Sequence, residues 1–203
     1  MGLYYRKALA RPGPPQPTAL ANYLIGPFND VKRFVVGSLS SPPTTRIVSE
    51  AGLTGARAML TWANCDLKRC TAENLHTWTS PLPAGRLFDL LASWQLWPSS
   101  SFLACPTVDK DGTARFAYRW YGLAPIVMMR LKTSIKPRCI IYDIVWGIGQ
   151  GGYHSFLLDE TSNGQTHVSI FTTFPLTRFF FEGLHDQMNF DIFKQLQAKE
   201  RGD

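Results

Sequence analysis

Between residues 113 and 174 the chain repeats one pattern five times: a strand-like run, then a break too short to hold a helix. The runs are Thr113–Trp120, Met128–Lys136, Ile140–Trp146, Tyr153–Glu160 and His167–Phe174. Lys136-Pro137-Arg138, Gly147 to Gly152 and Ser162-Asn163-Gly164 separate the later ones with turn chemistry. A parallel return needs a dozen or more residues, so breaks this short force antiparallel neighbours. An earlier strand is expected over Cys70–Thr79, followed by SPLPAGRLFDLLASWQLW. In that segment Ser80, Pro81 and Pro83 mark a turn and a helix start, and Leu87, Leu90, Leu91 and Trp94 recur at helical spacing. The chain closes on an expected long helix over 176–199, where Phe180, Leu184, Met188, Ile192 and Leu196 step by four. A sheet of this size must bury one face, and that helix is the only large cover the pattern offers. The expected class is α+β, a curved antiparallel sheet wrapped around a C-terminal helix.

Alternation along each strand says what the covered face is made of. Phe116, Tyr118 and Trp120 share one side of their run, with Arg115 and Arg119 opposite. Met129, Leu131 and Ile135 share a side, with Arg130, Lys132 and Lys136 outside. Tyr142, Ile144 and Trp146 share another, and His154, Phe156 and Leu158 a fourth. With Phe180, Leu184 and Met188 from the helix, these residues would enclose a large, aromatic, nearly uncharged interior. Such a space suits a hydrophobic ligand.

The first third of the chain is different. Residues 11–17 read RPGPPQP, a stiff extended linker, and residues 38–45 read SLSSPPTT. Residues 46–63 have the length of a helix, interrupted by Gly52 and Gly55. Residues 1–70 hold nine Lys/Arg against Asp30, Glu50 and Asp66, which accounts for the whole net charge of +6. The remaining 12 bases and 12 acids cancel. A neutral body argues against nucleic acid as the main partner, because phosphate binding needs a concentrated basic surface. We therefore divide the chain into a basic, proline-punctuated extension over 1–67 and a folded domain over 68–203. The extension could meet a protein partner or an anionic membrane surface.

Several function classes lack their residues. The longest apolar run, about Gly122 to Met129, falls far short of the roughly 20 residues a spanning helix needs. Cys65, Cys70, Cys105 and Cys139 show no paired zinc spacing, and His76, His154, His167 and His185 are scattered, so no metal is expected. Reduced thiols and the lack of a secretory signal indicate an intracellular protein. The acid-free start with Arg6, Lys7 and Arg11 also fits a mitochondrial or plastid transit peptide, although Ser is missing before Ser38. Gly147, Gly149 and Gly152 spell a dinucleotide-like glycine pattern. An alternating strand follows where a helix would be required, which makes them a hairpin loop. Asp143 and Asp159 fall opposite the apolar faces, so no carboxylate pair forms. His154, on an apolar face, is the one candidate acid–base residue, with Tyr118 or Tyr142 as possible hydroxyl partners.

The layout resembles the START-like, or polyketide-cyclase/lipid-transport, superfamily with its helix-grip fold, also called birch-pollen-allergen-like. TAENLHTWTSPLPAGRLFDLLASW resembles the family's first strand, proline turn and first helix. RLKTSIKPRCIIYDIVWG resembles its paired central strands. GGYHSFLLDETSNGQTHVSIFTTF resembles its final hairpin, and PLTRFFFEGLHDQMNFDIFKQLQ its C-terminal helix. Together they span about residues 68–199 and leave 1–67 outside. The segment between the first helix and Thr113 is shorter than the family often has. The resemblance implies a cavity for a lipid, sterol, isoprenoid quinone, polyketide or similar molecule, with no resident cofactor and no invariant catalytic set. Three readings follow. The chain binds or transfers a hydrophobic small molecule without catalysis; it is a non-catalytic accessory subunit of a larger protein complex, membrane-associated or not, docked through 1–67; or it is a cyclase or isomerase that uses His154.

Overall fold

The computed structural model describes residues 50–94, 107–117, 125–147 and 149–175, together with Leu196, Ala198 and Lys199. Within them, helix α1 (Glu50–Trp62) leads through a short 3₁₀ turn to strand β1 (Ala72–Ser80) and helix α2 (Ala84–Ala92). Six strands follow: β2 (Thr107–Val108), β3 (Ala114–Ala117), β4 (Pro125–Ile135), β5 (Cys139–Gly147), β6 (Tyr153–Glu160) and β7 (Thr166–Phe174). All seven strands form one open sheet in the order β1-β7-β6-β5-β4-β3-β2. Every neighbouring pair is antiparallel, and between β4 and β7 the short breaks require it. The first strand crosses to pair with the last, so β1 and β2 form the two edges.

The five expected runs correspond to β3 through β7, and the expected early strand and helix to β1 and α2. The two-residue edge strand β2 is an addition; Thr107 and Val108 are too few to show a period. The expected helix over 176–199 lies outside the described residues except at Leu196, Ala198 and Lys199, which are helical. Leu196 is fully buried in the core on the α2 side of the sheet.

The sheet carries a core on each side. On the inner side, which we call the grip face, Leu87, Phe88 and Leu91 of α2 pack with Trp78, Phe116, Met129, Ile140, Phe156 and Ile170. On the outer side, Ala56 and Leu60 of α1 and Cys65 beyond it pack with Leu75, Cys139, Ile141, Tyr153 and Phe171. An alternating strand can serve both, because successive side chains point to opposite faces. Cys139 through Tyr142 are all buried for this reason. Glycines 52 and 55 do not break α1; docking on the sheet outweighs their propensity cost of about 1 kcal/mol each. Arg57 clamps the helix to β1 by a two-pronged pairing with Glu73, the Nε–Oε1 arm being 2.8 Å. The Asp66 amide donates to the Tyr153 hydroxyl at 2.8 Å and fixes the chain beyond the helix.

Two register shifts between β4 and β5 change which residues face inward. Met129 pairs with Ile144, but Met128 pairs with Trp146, which leaves Val145 as an extra residue. Cross-strand partners share a face, so Trp146 lies with Met128 on the outer side, against the expectation that it joins Tyr142 and Ile144. Leu131 pairs with Tyr142 and Thr133 with Ile141, which makes Lys132 the extra residue of β4. The parity of β4 is reversed beyond that point. Ile135, expected beside Met129, packs on the outer core. Lys136, expected outside, reaches Asp89 of α2 at 2.6 Å and lies over the Phe88 ring.

The loop after β5 requires glycine at one place. A Cβ on Gly152 would collide with the Thr173 carbonyl oxygen and the Phe174 backbone. The loop can lie this close to β7 only without a side chain there. Gly147, Gly149 and Gly151 take positive φ in the same hairpin, consistent with the reading of this glycine pattern as a loop between strands.

Candidate functional site

The grip face is built from rows that run across the strands. One row joins Tyr142 of β5, His154 of β6, Thr172 of β7 and Asn74 of β1 through successive register pairs. The next joins Ile140, Phe156, Ile170 and His76. A third joins Leu158, Val168 and Trp78. All eleven residues are buried. The second and third rows are apolar apart from His76, and the first is polar along its whole length.

Aromatic rings cover the polar row from one end. Trp94, in the left-handed region with φ 58°, follows α2 and folds back over the sheet. Its ring lies 4.6 Å from that of Tyr142 and 5.7 Å from that of Phe116, the latter edge-on. These are the separations at which aromatic pairs attract beyond simple burial. Burial pushes the Tyr142 hydroxyl far above the ordinary phenol range, so it stays protonated. His154 Nδ1 and Thr172 Oγ1 are hydrogen-bonded at 2.9 Å. The Phe156 ring stands edge-on to the imidazole at 5.0 Å.

The structure brings Phe116, Met129, Tyr142, Ile144, His154, Phe156 and Leu158 together as buried residues of this face. Leu131 keeps the face by its pairing with Tyr142, yet is 48% exposed next to the extra residue Lys132. Trp146 is 47% exposed on the other side of the sheet, for the register reason above. Tyr118, Trp120, Phe180, Leu184 and Met188 lie outside the described residues. Asn74, His76 and Thr172 belong to the face and were missed. His76 and Asn74 alternate with Trp78 along β1, so the period-2 pattern could have placed all three together. Thr172 shows no signal before its pairing with His154 is known.

The face's chemistry is limited. Among the described residues no Asp, Glu, Lys or Arg is buried, and no group of three or more His, Cys, Asp or Glu is placed to hold a metal. No helix among them is long and apolar enough to cross a membrane. The groups present can donate and accept hydrogen bonds to a ligand oxygen inside an apolar wall.

Solved structures share this architecture. A START superfamily protein from Mycobacterium smegmatis superposes with a TM-score of 0.51 at 10% identity, covering 64% of this chain and 97% of that one. The protein XoxI from Bacillus cereus gives 0.53 at 14% identity, covering 64% and 95%. Ara h 8.0201 gives 0.50 at 17% identity, covering 64% and 98%. No family model matches the chain, and no curated protein matches it. At these identities the likeness is one of fold.

Proposed function

We propose that this protein, with its START-like helix-grip fold, binds an uncharged hydrophobic small molecule on its grip face and does not transform it. Lipid, isoprenoid quinone, sterol and polyketide are the classes that fit. The observation that carries the reading is an aromatic wall in which, among the described residues, no Asp, Glu, Lys or Arg is buried, crossed by the polar row of Tyr142, His154, Thr172 and Asn74. A ligand with an apolar body would lie along Phe116, Phe156 and Trp78. A hydroxyl or carbonyl at one end would meet Tyr142, His154 and Thr172. Burying an isolated charge there would be far more costly than burying a neutral polar group with hydrogen-bond partners. This favours a neutral head group over a carboxylate or phosphate.

The cyclase or isomerase reading is weaker on the same geometry. His154 already shares its Nδ1 with the neutral Thr172 hydroxyl. A buried row of this kind serves recognition without moving a proton.

The test uses the full chain and two neutral probes, decylubiquinone and dehydroergosterol, followed by tryptophan fluorescence. Saturable quenching or energy transfer with either probe is expected. It should weaken in Leu131→Glu, which places a charge on the grip face at a half-exposed position that folding tolerates. Absence of saturable binding by both probes would remove the proposal.

A further inference from the structure

Helix α2 is followed by a residue that its backbone does not favour. Ser93 caps the helix, and its hydroxyl donates to the Leu90 carbonyl at 2.8 Å. The next residue, Trp94, takes φ 58°. This place after a helix usually holds glycine or asparagine, because in the left-handed region a larger side chain crowds the following carbonyl. Helix α1 follows the rule: Asn64, two residues past its end, takes φ 55°. Two residues past the end of α2 the chain has tryptophan instead. Capping does not account for that choice.

The ring does. It meets Tyr142 at 4.6 Å with a tilt of 42°, and Phe116 at 5.7 Å edge-on. Phe116 belongs to β3 and Tyr142 to β5, so the ring bridges β4 between them. Both partners are buried, whereas Trp94 is partly exposed. Tyr142 is also the register partner of the half-exposed Leu131, which puts it at the rim end of the polar row. Trp94 therefore covers the place where the polar end of a grip-face ligand would approach Tyr142. Two tendencies oppose each other in this one residue. Ring contacts hold it on the sheet, and backbone strain favours its release. Strained residues of this kind cluster at ligand clamps and switch regions.

We propose that Trp94 is a displaceable plug of the grip face. Its ring holds the place against Tyr142 and Phe116 that a flat unsaturated ring at the ligand's polar end takes, and it swings off the sheet as the ligand enters. A flat ring restores the face and edge contacts that the swing breaks; a saturated ring has no π face with which to do so. The proposal rests on the grip face as the binding site and adds the kind of head group it prefers.

The experiment labels the full chain with 5-fluorotryptophan and follows its six tryptophans by fluorine NMR. Trp94→Phe identifies the Trp94 signal by its loss. Decylubiquinone carries a flat unsaturated head ring, whereas the hydroxyl-bearing ring of dehydroergosterol is saturated. Decylubiquinone is expected to move the Trp94 signal toward those of the exposed Trp62 and Trp146, which stay in place. At equal occupancy dehydroergosterol should move it less. In the fluorescence titration Trp94→Gly should bind decylubiquinone at least about threefold more tightly, because no ring competes for the place. Trp94→Gly should also melt above Trp94→Ala, since glycine takes φ 58° without strain.

A shift of the Trp78 signal with Trp94 unmoved would overturn the plug and leave the grip-face site standing. Weaker binding by Trp94→Gly would do the same, because the ring would then be part of the wall. Equal movement of Trp94 by the sterol, or a Trp94→Gly variant that melts no higher than Trp94→Ala, would also overturn the proposal. Absence of binding by the wild-type chain and Trp94→Gly alike would remove the plug and the grip-face site together.

Discussion

Replacing Leu60 with alanine tests whether α1 is part of the folded body. Leu60 is fully buried among Ala56, Cys65 and the outer-face residues Leu75, Ile141, Tyr153 and Phe171. The substitution removes three methylene-sized groups, each worth about 0.8 kcal/mol of transfer free energy, or about 2.4 kcal/mol together. The remaining cavity, walled by a sheet that cannot collapse freely, raises the cost to about 3–4 kcal/mol. For a chain of this size that corresponds to a fall in melting temperature of about 6–16 °C. Trp62, two residues on and 60% exposed, is the matched control, and its alanine variant should change stability by less than about 1 kcal/mol. Urea unfolding followed by circular dichroism gives both numbers. Cys65 supplies a second readout, since it is buried in the same core and should become more reactive toward iodoacetamide when Leu60 is truncated. Equal, small effects of Leu60→Ala and Trp62→Ala would refute the docking of α1 on the sheet.

Three further outcomes follow from the same packing. Burial pushes the Cys65 thiol up to about 11 from an ordinary 9.0, so the folded state keeps a proton that the unfolded state has lost. The stability linked to this proton is complete below pH 9 and is lost as the pH rises to about 11. Cys70, Cys139 and Tyr153 are pushed the same way by burial, and Cys65→Ala should flatten part of the alkaline decline in urea midpoints. The Arg57–Glu73 pairing is two-pronged but partly exposed, and a double-mutant cycle should give a coupling of about 0.5–1 kcal/mol that falls with added salt. Gly152→Ala should destabilise by about 1–3 kcal/mol because its Cβ meets backbone of β7, whereas Gly55→Ala should stabilise by about 0.5–1 kcal/mol, both read by thermal melts.

Much of the fold was legible because period-2 alternation and short turns are local signals. Strands β3 to β7 and their antiparallel order came from the spacing of five runs and the glycine and proline between them. What alternation cannot show is an extra residue. Val145 and Lys132 each add one to a strand, and each reverses the faces beyond it. Trp146 and Ile135 were therefore assigned to the wrong side, while Tyr142 and Met129, within the regular stretch, were placed correctly. The outer core escaped for a different reason. Residues 50–65 read alone as a glycine-interrupted helix of the extension, and only the buried outer positions Leu75, Ile141 and Phe171 give the small face of α1 something to cover. Reading both faces of β5 would have exposed it, since Cys139 to Ile144 offers apolar residues at odd and even positions alike. The polar row was half visible: His154 and Tyr142 stood out as polar groups on apolar strands, but their adjacency and the partnership with Thr172 depend on register between strands.

Native mass spectrometry of gently purified full-length protein tests the central claim most directly. The account predicts a reproducible added mass that organic extraction removes, with a neutral hydrophobic molecule recovered in the extract. A consistently bare chain, which also fails to take up neutral lipids offered during purification, would contradict it.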